Sequence, residues 1–166
     1  MSALQLYFSD LAEIVAASLE SSGLTPSSFE IELTESTVMR NADASAKALQ
    51  KLRDLGVTIA IDDFGTGYSS LSYLQKLPVD LLKIDRFFLR HIDAKTTAAV
   101  VRAITVLGHS LGLRVVAEGI ETDQQMESVR HIGVDIAQGY LIGRPMPSDK
   151  ALEWMQTSIH NAEARS

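Results

Sequence analysis

The spacing of hydrophobic residues changes repeatedly along the chain between a helical and a strand-like pattern. Helical spacing occurs at Leu11, Ile14, Val15 and Leu19, at Leu49, Leu52 and Leu55, and at Val100, Val101, Ile104 and Leu107. Thr122 followed by Gln125 has the pattern of a capping box, which predicts the start of a fourth helix. Ser148 follows two prolines and predicts the start of a last helix, which carries Trp154.

The segments between these helices are short and apolar, and they alternate in polarity as strands do. They occupy residues 29–33, 57–62, 81–85, 114–118 and 135–140. A glycine stands where a helical segment gives way to a strand-like one, at Gly23, Gly56, Gly112 and Gly133. Glycine is the residue that most often ends a helix, and repeated helix–glycine–strand units predict an α/β fold with parallel strands.

Polar residues recur near the C-terminal ends of the predicted strands. They are the carboxylates Glu32, Asp62, Asp63 and Glu118, together with Lys83 and Gln138 on the two other strands. Because these ends of parallel strands meet at one edge, barrel and open-sheet enzymes place their sites there. A doubly wound sheet also fits the alternation, but small and polar inner faces favour a barrel. We therefore predict parallel βα repeats forming a partial TIM-type barrel, with about five strands.

The composition indicates one ordinary globular domain without a membrane span. The chain has 166 residues, of which 46% are hydrophobic and 22% charged, and no run of about 18 apolar residues. The net charge of −6 argues against binding along a nucleic-acid polymer, which needs clustered Lys and Arg. Cysteine does not occur, which excludes disulfides and cysteine-ligated zinc and is compatible with the cytoplasmic location that we expect.

The carboxylates at the strand ends point to a site for hard divalent cations. Carboxylate oxygens favour Mg²⁺ or Mn²⁺ over zinc or copper. Asp62 can bridge two ions while Asp63 holds one of them. Two ions about 3.5–4 Å apart stabilise the attacking and leaving oxygens of an in-line phosphodiester displacement. Lys83 would orient a water or stabilise the developing charge, so the pattern predicts a two-metal phosphodiester site.

These features also have ordinary structural interpretations. Adjacent aspartates after a strand are common in turns, and Lys83 with Asp85 could form a structural ion pair. The glycines at 65 and 67 could make a tight turn. The histidines lack the spacing of metal ligands, and we interpret them as structural or surface residues: His91, His109, His131 and His160. This interpretation argues against a histidine-based phosphodiesterase.

Five stretches of the chain together resemble a known family. They are Glu-Leu-Thr-Glu-Ser at 32–36, Asp-Asp-Phe-Gly-Thr-Gly-Tyr-Ser-Ser-Leu at 62–71, Lys-Ile-Asp at 83–85, Ala-Glu-Gly-Ile-Glu at 117–121 and Gln-Gly-Tyr at 138–140. In this order they are similar to the successive signatures of the EAL domain, over residues 2–147. The resemblance implies a modified (β/α)8 barrel that hydrolyses the bacterial second messenger cyclic di-GMP to linear pGpG with Mg²⁺ or Mn²⁺.

The resemblance also implies roles for individual residues. The implied metal ligands are Glu32, Asp62, Asp63 and Glu118. Asp62 would be the bridging ligand, and Glu118 has an alternative role as general base. Lys83 would hold the catalytic water, Gln138 would support that water or the substrate, and Glu121 would assist in a second layer around them.

Two further residues would act through the loop that follows the aspartates. Glu35 would anchor this loop, residues 63–71, which in the family couples metal binding, substrate binding and dimer contacts. Asp85 would support Lys83 or the loop. The resemblance further implies that an upstream sensor or GGDEF domain can accompany such a domain in the full-length protein.

Two metal ligands implied by the resemblance do not occur in this sequence. The family is named for Glu-Ala-Leu on an early strand, and these residues do not occur in succession here. The family also uses an Asn just before a run that Ser-Ala-Leu-Gln-Leu at residues 2–6 resembles. A complete barrel of this kind has about 250 residues, so we interpret residues 1–166 as a partial EAL domain without the first strands.

We expect this partial domain to hydrolyse cyclic di-GMP weakly or not at all by itself. Open sheet edges invite pairing with another chain, so we also expect self-association as a dimer. The alternative is a catalytically inactive EAL segment that acts as a cyclic di-GMP-binding or protein-interaction module.

Overall fold

The computed structural model describes residues 10–67 and 71–163, with only the main chain of residues 71 and 157–163. Residues 2–6 and 68–70, which belong to the motifs above, lie outside this part. The helices are Leu11–Ser22 (α1), Glu35–Met39 (α2), Ala42–Asp54 (α3), Leu71–Leu74 (α4), Arg86–Arg90 (α5), Lys95–Ser110 (α6), Asp123–Ile132 (α7) and Ser148–Glu163 (α8). The strands are Glu30–Thr34 (β1), Thr58–Phe64 (β2), Leu81–Ile84 (β3), Arg114–Glu118 (β4) and Ile136–Gln138 (β5). None of the described helices is both long enough and apolar enough to cross a membrane.

The strands form one parallel sheet in the order β1-β2-β3-β4-β5. Each strand pairs with the one before it in the chain, and one or more helices connect the two. A doubly wound sheet reverses its strand order at a switch point, whereas this order is uniform, as in a segment of a barrel. The predicted α/β fold of parallel βα repeats, with five strands of a TIM-type barrel, is confirmed.

Four strands end at residues other than those predicted. β1 ends one residue later, at Thr34, and β3 ends one residue earlier, at Ile84. β2 continues to Phe64, so both aspartates lie within it. β5 ends at Gln138, two residues early, because the main chain then leaves the sheet and wraps around Ile120. The Ile120 N–H donates to the Gln138 carbonyl at 3.0 Å, and the Ile120 carbonyl accepts from Leu141 N–H at 3.0 Å. A side chain at Gly139 would overlap the main chain of Ile120, so only glycine permits this path.

One face of the sheet is buried beneath the helices. The main core includes the fully buried side chains of Leu33, Leu49, Leu52, Ile59, Ile61, Leu82, Ile84 and Val101. The other face carries a small second cluster of Ala60, Leu81 and Val116. Glu32 pairs in register with Ala60, and Lys83 pairs with Val116. The ionisable residues of the strands therefore share the face that the main core does not use.

The local signals at the helix ends are confirmed. The Thr122 hydroxyl accepts from Gln125 N–H at 3.2 Å, and the Gln125 side-chain oxygen accepts from Thr122 N–H at 3.1 Å, which completes the capping box of α7. Gly23 and Gly133 end α1 and α7 with φ of 67° and 92°. These ends determine where the connections to β1 and β5 begin.

Candidate active site

The paired aspartates lie in a β-bulge at the carboxyl rim, which we define as the edge of the sheet formed by the C-terminal ends of the strands. Ile61 pairs with Leu82 and Phe64 with Ile84, so Asp62 and Asp63 together oppose Lys83 alone. Adjacent residues of a regular strand face opposite sides, and a bulge removes this restriction. Asp63 has φ of 55°, the one positive value among the described non-glycine residues. The strained backbone therefore allows neighbouring carboxylates to act at the same rim.

Lys83 links three strands at the centre of this rim. Its side chain is only 4% exposed, and its ammonium contacts Glu32 of β1 and, at 2.5 Å, Glu118 of β4. Burial alone would lower the pKa of Lys83, but the hydrogen bonds and charges of the two glutamates outweigh it and raise the pKa. Lys83 is therefore a fixed cation, and it brings together two of the predicted metal ligands.

Other carboxylates of the rim lie close enough to Asp63 to oppose its ionisation. Burial, the charge of Asp62, a hydrogen bond with Asp85 and the charges of Asp85 and Glu118 raise the pKa of Asp63. Asp85 also accepts from Phe87 N–H at 2.8 Å and so caps α5. The sequence allowed a structural pair between Asp85 and Lys83, whereas the structure pairs Lys83 with the two glutamates and uses Asp85 as a helix cap.

Glu35 fixes the start of the loop that follows β2. It is the first residue of α2 and is 3% exposed. Its carboxylate accepts from Gly65 N–H at 2.9 Å, and a Cβ at Gly67 would come within 2.9 Å of the same carboxylate. Glycine at position 67 therefore permits the loop to pass directly over Glu35. Residues 68–70 of the loop that Glu35 was predicted to anchor lie outside the described part of the chain.

Gln138 and Glu121 lie beside Glu118 along a cavity of about 500 Å³ at the same rim. Its walls also include two arginines that the sequence analysis did not identify, Arg86 and Arg90. Both lie on α5, the short helix after β3, and their spacing of four places them on one helix face. That spacing was the available signal. The arginines bring positive charge to the cavity wall that they share with Glu118 and Gln138.

The predicted ligands supply suitable donors for a hard cation, but they do not form a ready-made metal cage. Among the described residues, no group of three or more Asp, Glu, His or Cys side chains is arranged to hold a metal ion. The Lys83 ammonium contacts both Glu32 and Glu118. The donors are all carboxylate oxygens, and burial together with the neighbouring carboxylates raises the pKa of Asp63. Carboxylate oxygens are the donors that hard divalent cations prefer, so the chemistry of these residues fits such a cation.

Comparison with known proteins agrees with this geometry. The EAL domain model matches residues 1–145. The chain belongs to the EAL domain family. This EAL domain is 48% identical to the bifunctional diguanylate cyclase/cyclic di-GMP phosphodiesterase MucR of Pseudomonas aeruginosa. The match extends over 153 residues, which are 92% of this chain and 22% of MucR. It spans about a fifth of the length of the curated relatives that it matches.

Solved structures that are highly similar to this chain share its fold, and they contain bound ligands. The PaMucR phosphodiesterase in complex with c-di-GMP has a TM-score of 0.87 and 48% identity, over 91% of this chain and 62% of that one. Klebsiella pneumoniae BlrP1 with manganese and cyclic di-GMP has a TM-score of 0.81 and 37% identity, over 87% of this chain and 38% of that one. The EAL domain described here is thus similar to proteins whose structures contain the nucleotide and a divalent metal.

Proposed function

We propose that this EAL domain binds cyclic di-GMP and hydrolyses one phosphodiester to give linear pGpG, with Mg²⁺ or Mn²⁺ as the cofactor. The observation that carries the proposal is the carboxyl rim, where Lys83 joins Glu32 to Glu118 beside the bulge of Asp62 and Asp63. MucR is named as a cyclic di-GMP phosphodiesterase. The proposal places the domain in the cytoplasm, in signalling by this nucleotide.

In this proposal the ions would be held by the carboxylates of β1, β2 and β4: Glu32, Asp62, Asp63 and Glu118. Bound divalent ions would supply a water of lowered pKa and neutralise charge on the phosphate. Lys83 would orient the attacking water and offset negative charge on the phosphoryl oxygens. Gln138 would hold that water or the substrate, and Glu121 would assist from the same cavity wall. Because these groups lie at the ends of strands paired in one sheet, they would be held near one another at the phosphodiester.

The substrate needs positive charge as well as metal-binding oxygens. Arg86 and Arg90 line the cavity beside Glu118 and Gln138. Guanidinium groups match phosphate oxygens in geometry and charge. We propose that these arginines receive the phosphate that does not react, and that Glu35 keeps the following loop in place above the site.

The test is a hydrolysis assay with purified protein, in which pGpG is separated by chromatography with and without Mn²⁺. The Glu-Ala-Leu glutamate and the Asn implied by the resemblance do not occur in these 166 residues, so we expect weak turnover. The turnover should require Mn²⁺ and be abolished by Asp62→Asn. Cyclic di-GMP that neither binds nor reacts would contradict the proposal, whereas robust turnover would contradict only the expected impairment.

A second candidate function is binding of cyclic di-GMP without hydrolysis. The favouring observation is that an ammonium, rather than a preformed group of three carboxylates, lies between Glu32 and Glu118 in the described part of the chain. A binding module should bind the nucleotide equally well with EDTA and with Mn²⁺. An enzyme should bind it more tightly with the metal, so calorimetric titration under both conditions separates the two functions.

We also propose that copies of this chain associate and that an upstream sensor or GGDEF domain accompanies it. Strands β1 and β5 are the edges of the described sheet. Large apolar side chains are exposed beside β5 and on α8: Ile136, Tyr140, Leu141, Ile142, Trp154 and Met155. Exposed strand edges and apolar patches favour association. Sedimentation should show a dimer, and a monomer at high concentration would contradict this proposal.

A further inference from the structure

We infer that Lys83 is a built-in counter-ion: it holds the carboxyl rim together in the metal-free protein and is displaced from Glu32 and Glu118 when a divalent cation binds. The inference rests on the proposed metal site and adds a step to it. It assigns Lys83 two successive positions, first between the glutamates and then, after exchange, toward the substrate.

The position of Lys83 in the sheet lets it reach carboxylates on both sides. It lies on β3, the central strand, and reaches Glu118 on the neighbouring β4. It also reaches Glu32 on β1, so its side chain extends past β2. A single ammonium therefore connects three strands, β1, β3 and β4, at the rim.

The ammonium of Lys83 is buried, whereas its partners are not. The Lys83 side chain is 4% exposed, whereas those of Glu32 and Glu118 are 46% and 23% exposed. A buried ammonium is stable only when carboxylates satisfy it. The glutamates can still turn toward solvent, so loss of these ion pairs would destabilise Lys83 more than it would destabilise the glutamates. Asp63 and Asp85 add further negative charge around the rim.

Lys83 and a bound cation would compete for the same two carboxylates. Lys83 contacts the Oε1 atoms of both Glu32 and Glu118. A divalent cation coordinated by these glutamates needs carboxylate oxygens from the same two groups. An ammonium and a divalent ion repel strongly at such short separation. Lys83 must therefore leave one or both glutamates for the cation to bind, so its charge weakens cation affinity while stabilising the empty site.

This exchange predicts effects of opposite sign, which a purely structural lysine would not produce. Without Lys83, the metal-free fold should be weaker because the carboxylates repel one another without compensation. Cation affinity should rise, because nothing competes for the oxygens. A lysine that only maintained the shape of the site would lower both stability and affinity when removed.

The test compares Lys83→Met, Lys83→Arg and Lys51→Met with the native chain. Lys51 is a matched control because its side chain is 68% exposed, on α3, with a long 3.9 Å contact to Asp10. Mn²⁺ binding is followed by electron paramagnetic resonance, and thermal unfolding is measured with EDTA and with Mn²⁺. We expect K83M to bind Mn²⁺ about tenfold more tightly and, without metal, to unfold about 10 °C lower.

The controls separate charge from position. K51M removes the same charge and should leave both quantities unchanged, and K83R keeps the charge and should not gain Mn²⁺ affinity. The inference is overturned if K83M binds Mn²⁺ no more tightly than the native chain does, or if it shows no binding. Failure of cyclic di-GMP turnover in a protein that binds Mn²⁺ would reject the proposed function and leave this inference standing.

A double variant covers the case in which K83M fails to fold. Removing one opposing carboxylate as well, in K83M/E118Q, should restore part of the lost stability because less negative charge remains uncompensated. The double variant should therefore unfold at a higher temperature than K83M, or fold where K83M does not. A double variant no more stable than K83M overturns the role of Lys83 as a counter-ion.

Discussion

The two ends of the sheet use the same residue type in opposite ways. At the end where the strands begin, Asp80 accepts from Ile59 N–H at 2.9 Å, with Arg53 at 3.7 Å. Asp135 repeats the arrangement, accepting from Val115 N–H at 2.7 Å. Each aspartate immediately precedes a strand and joins it to the start of the neighbouring strand. We call this edge the amino rim, and its aspartates are stabilising.

The aspartates of the carboxyl rim make local hydrogen bonds instead: Asp62 accepts from Asp63 N–H at 2.9 Å and Asp85 from Phe87 N–H at 2.8 Å. Asp63 has a positive φ, and burial together with nearby carboxylates raises its pKa. For Asp135, burial would raise the pKa, but the hydrogen bonds from Val115 and His109 and the nearby positive charges outweigh it, and the pKa is lowered. The carboxyl rim therefore retains charge repulsion and backbone strain that a bound cation would relieve, whereas the amino rim contributes stability.

The strongest test of this contrast is Asp62→Asn. In a protein that shows Mn²⁺-dependent turnover, we expect a loss of at least about 100-fold, because the carboxylate proposed to bridge the ions is removed. The metal-free thermal stability should stay the same or rise, because one repelling charge is gone. Turnover and thermal unfolding are measured on the same preparation. A large loss of stability would contradict the division of roles between the rims.

Asp80→Ala should have the opposite profile. It leaves the N–H of Ile59, a fully buried residue, without its acceptor, and we expect a loss of about 2 kcal/mol in the free energy of unfolding. Mn²⁺ affinity should not change. Asp80→Asn is the matched control, because it keeps a side-chain oxygen at this position. Urea unfolding measures the difference, and equal stability of the alanine variant and the native chain would refute the proposed role.

Asp63→Gly should stabilise the metal-free domain by about 1 kcal/mol. Glycine adopts a positive φ without strain, and the change also removes a charge opposed by its neighbours. Asp63→Ala removes the charge but keeps the strain, so it should gain less. All stability gained here should be accompanied by weaker Mn²⁺ binding. Stability is measured with EDTA, and a destabilised glycine variant would show that Asp63 contributes a favourable contact.

The smallest expected effect concerns acid and Asp135. The pKa of Asp135 in the folded protein is lower than that of an aspartate in the unfolded chain. The unfolded value is about 3.9. The ionised form of Asp135 therefore stabilises the fold above that pH, and this contribution is lost as the pH falls through the folded pKa. Asp135→Asn should lower stability by about 1 kcal/mol at pH 7 and flatten the stability curve below about pH 4. Urea titrations from pH 3 to 7 test this, and parallel curves for the two proteins would contradict it.

Much of the fold and the motif-bearing part of the site could be predicted from local patterns. The capping box at Thr122 and Gln125 formed as expected because both residues lie in one helical turn. The aspartates of the amino rim were missed, although Val-Asp precedes both β3 and β5, at residues 79–80 and 134–135. Their acceptor role needs the amide of another strand, which no local pattern identifies.

The sequence by itself determined the kinds and order of the elements, since hydrophobic periodicity and helix caps depend on neighbours within a few residues. It also placed polar residues near the C-terminal ends of the strands. Only the tertiary structure decided that Asp62 and Asp63 share one opposing residue, because the bulge exists only in the pairing of β2 with β3. Only the tertiary structure gave Lys83 its two partners, because Glu32 and Glu118 lie far from it in the chain and a parallel sheet brings their ends together.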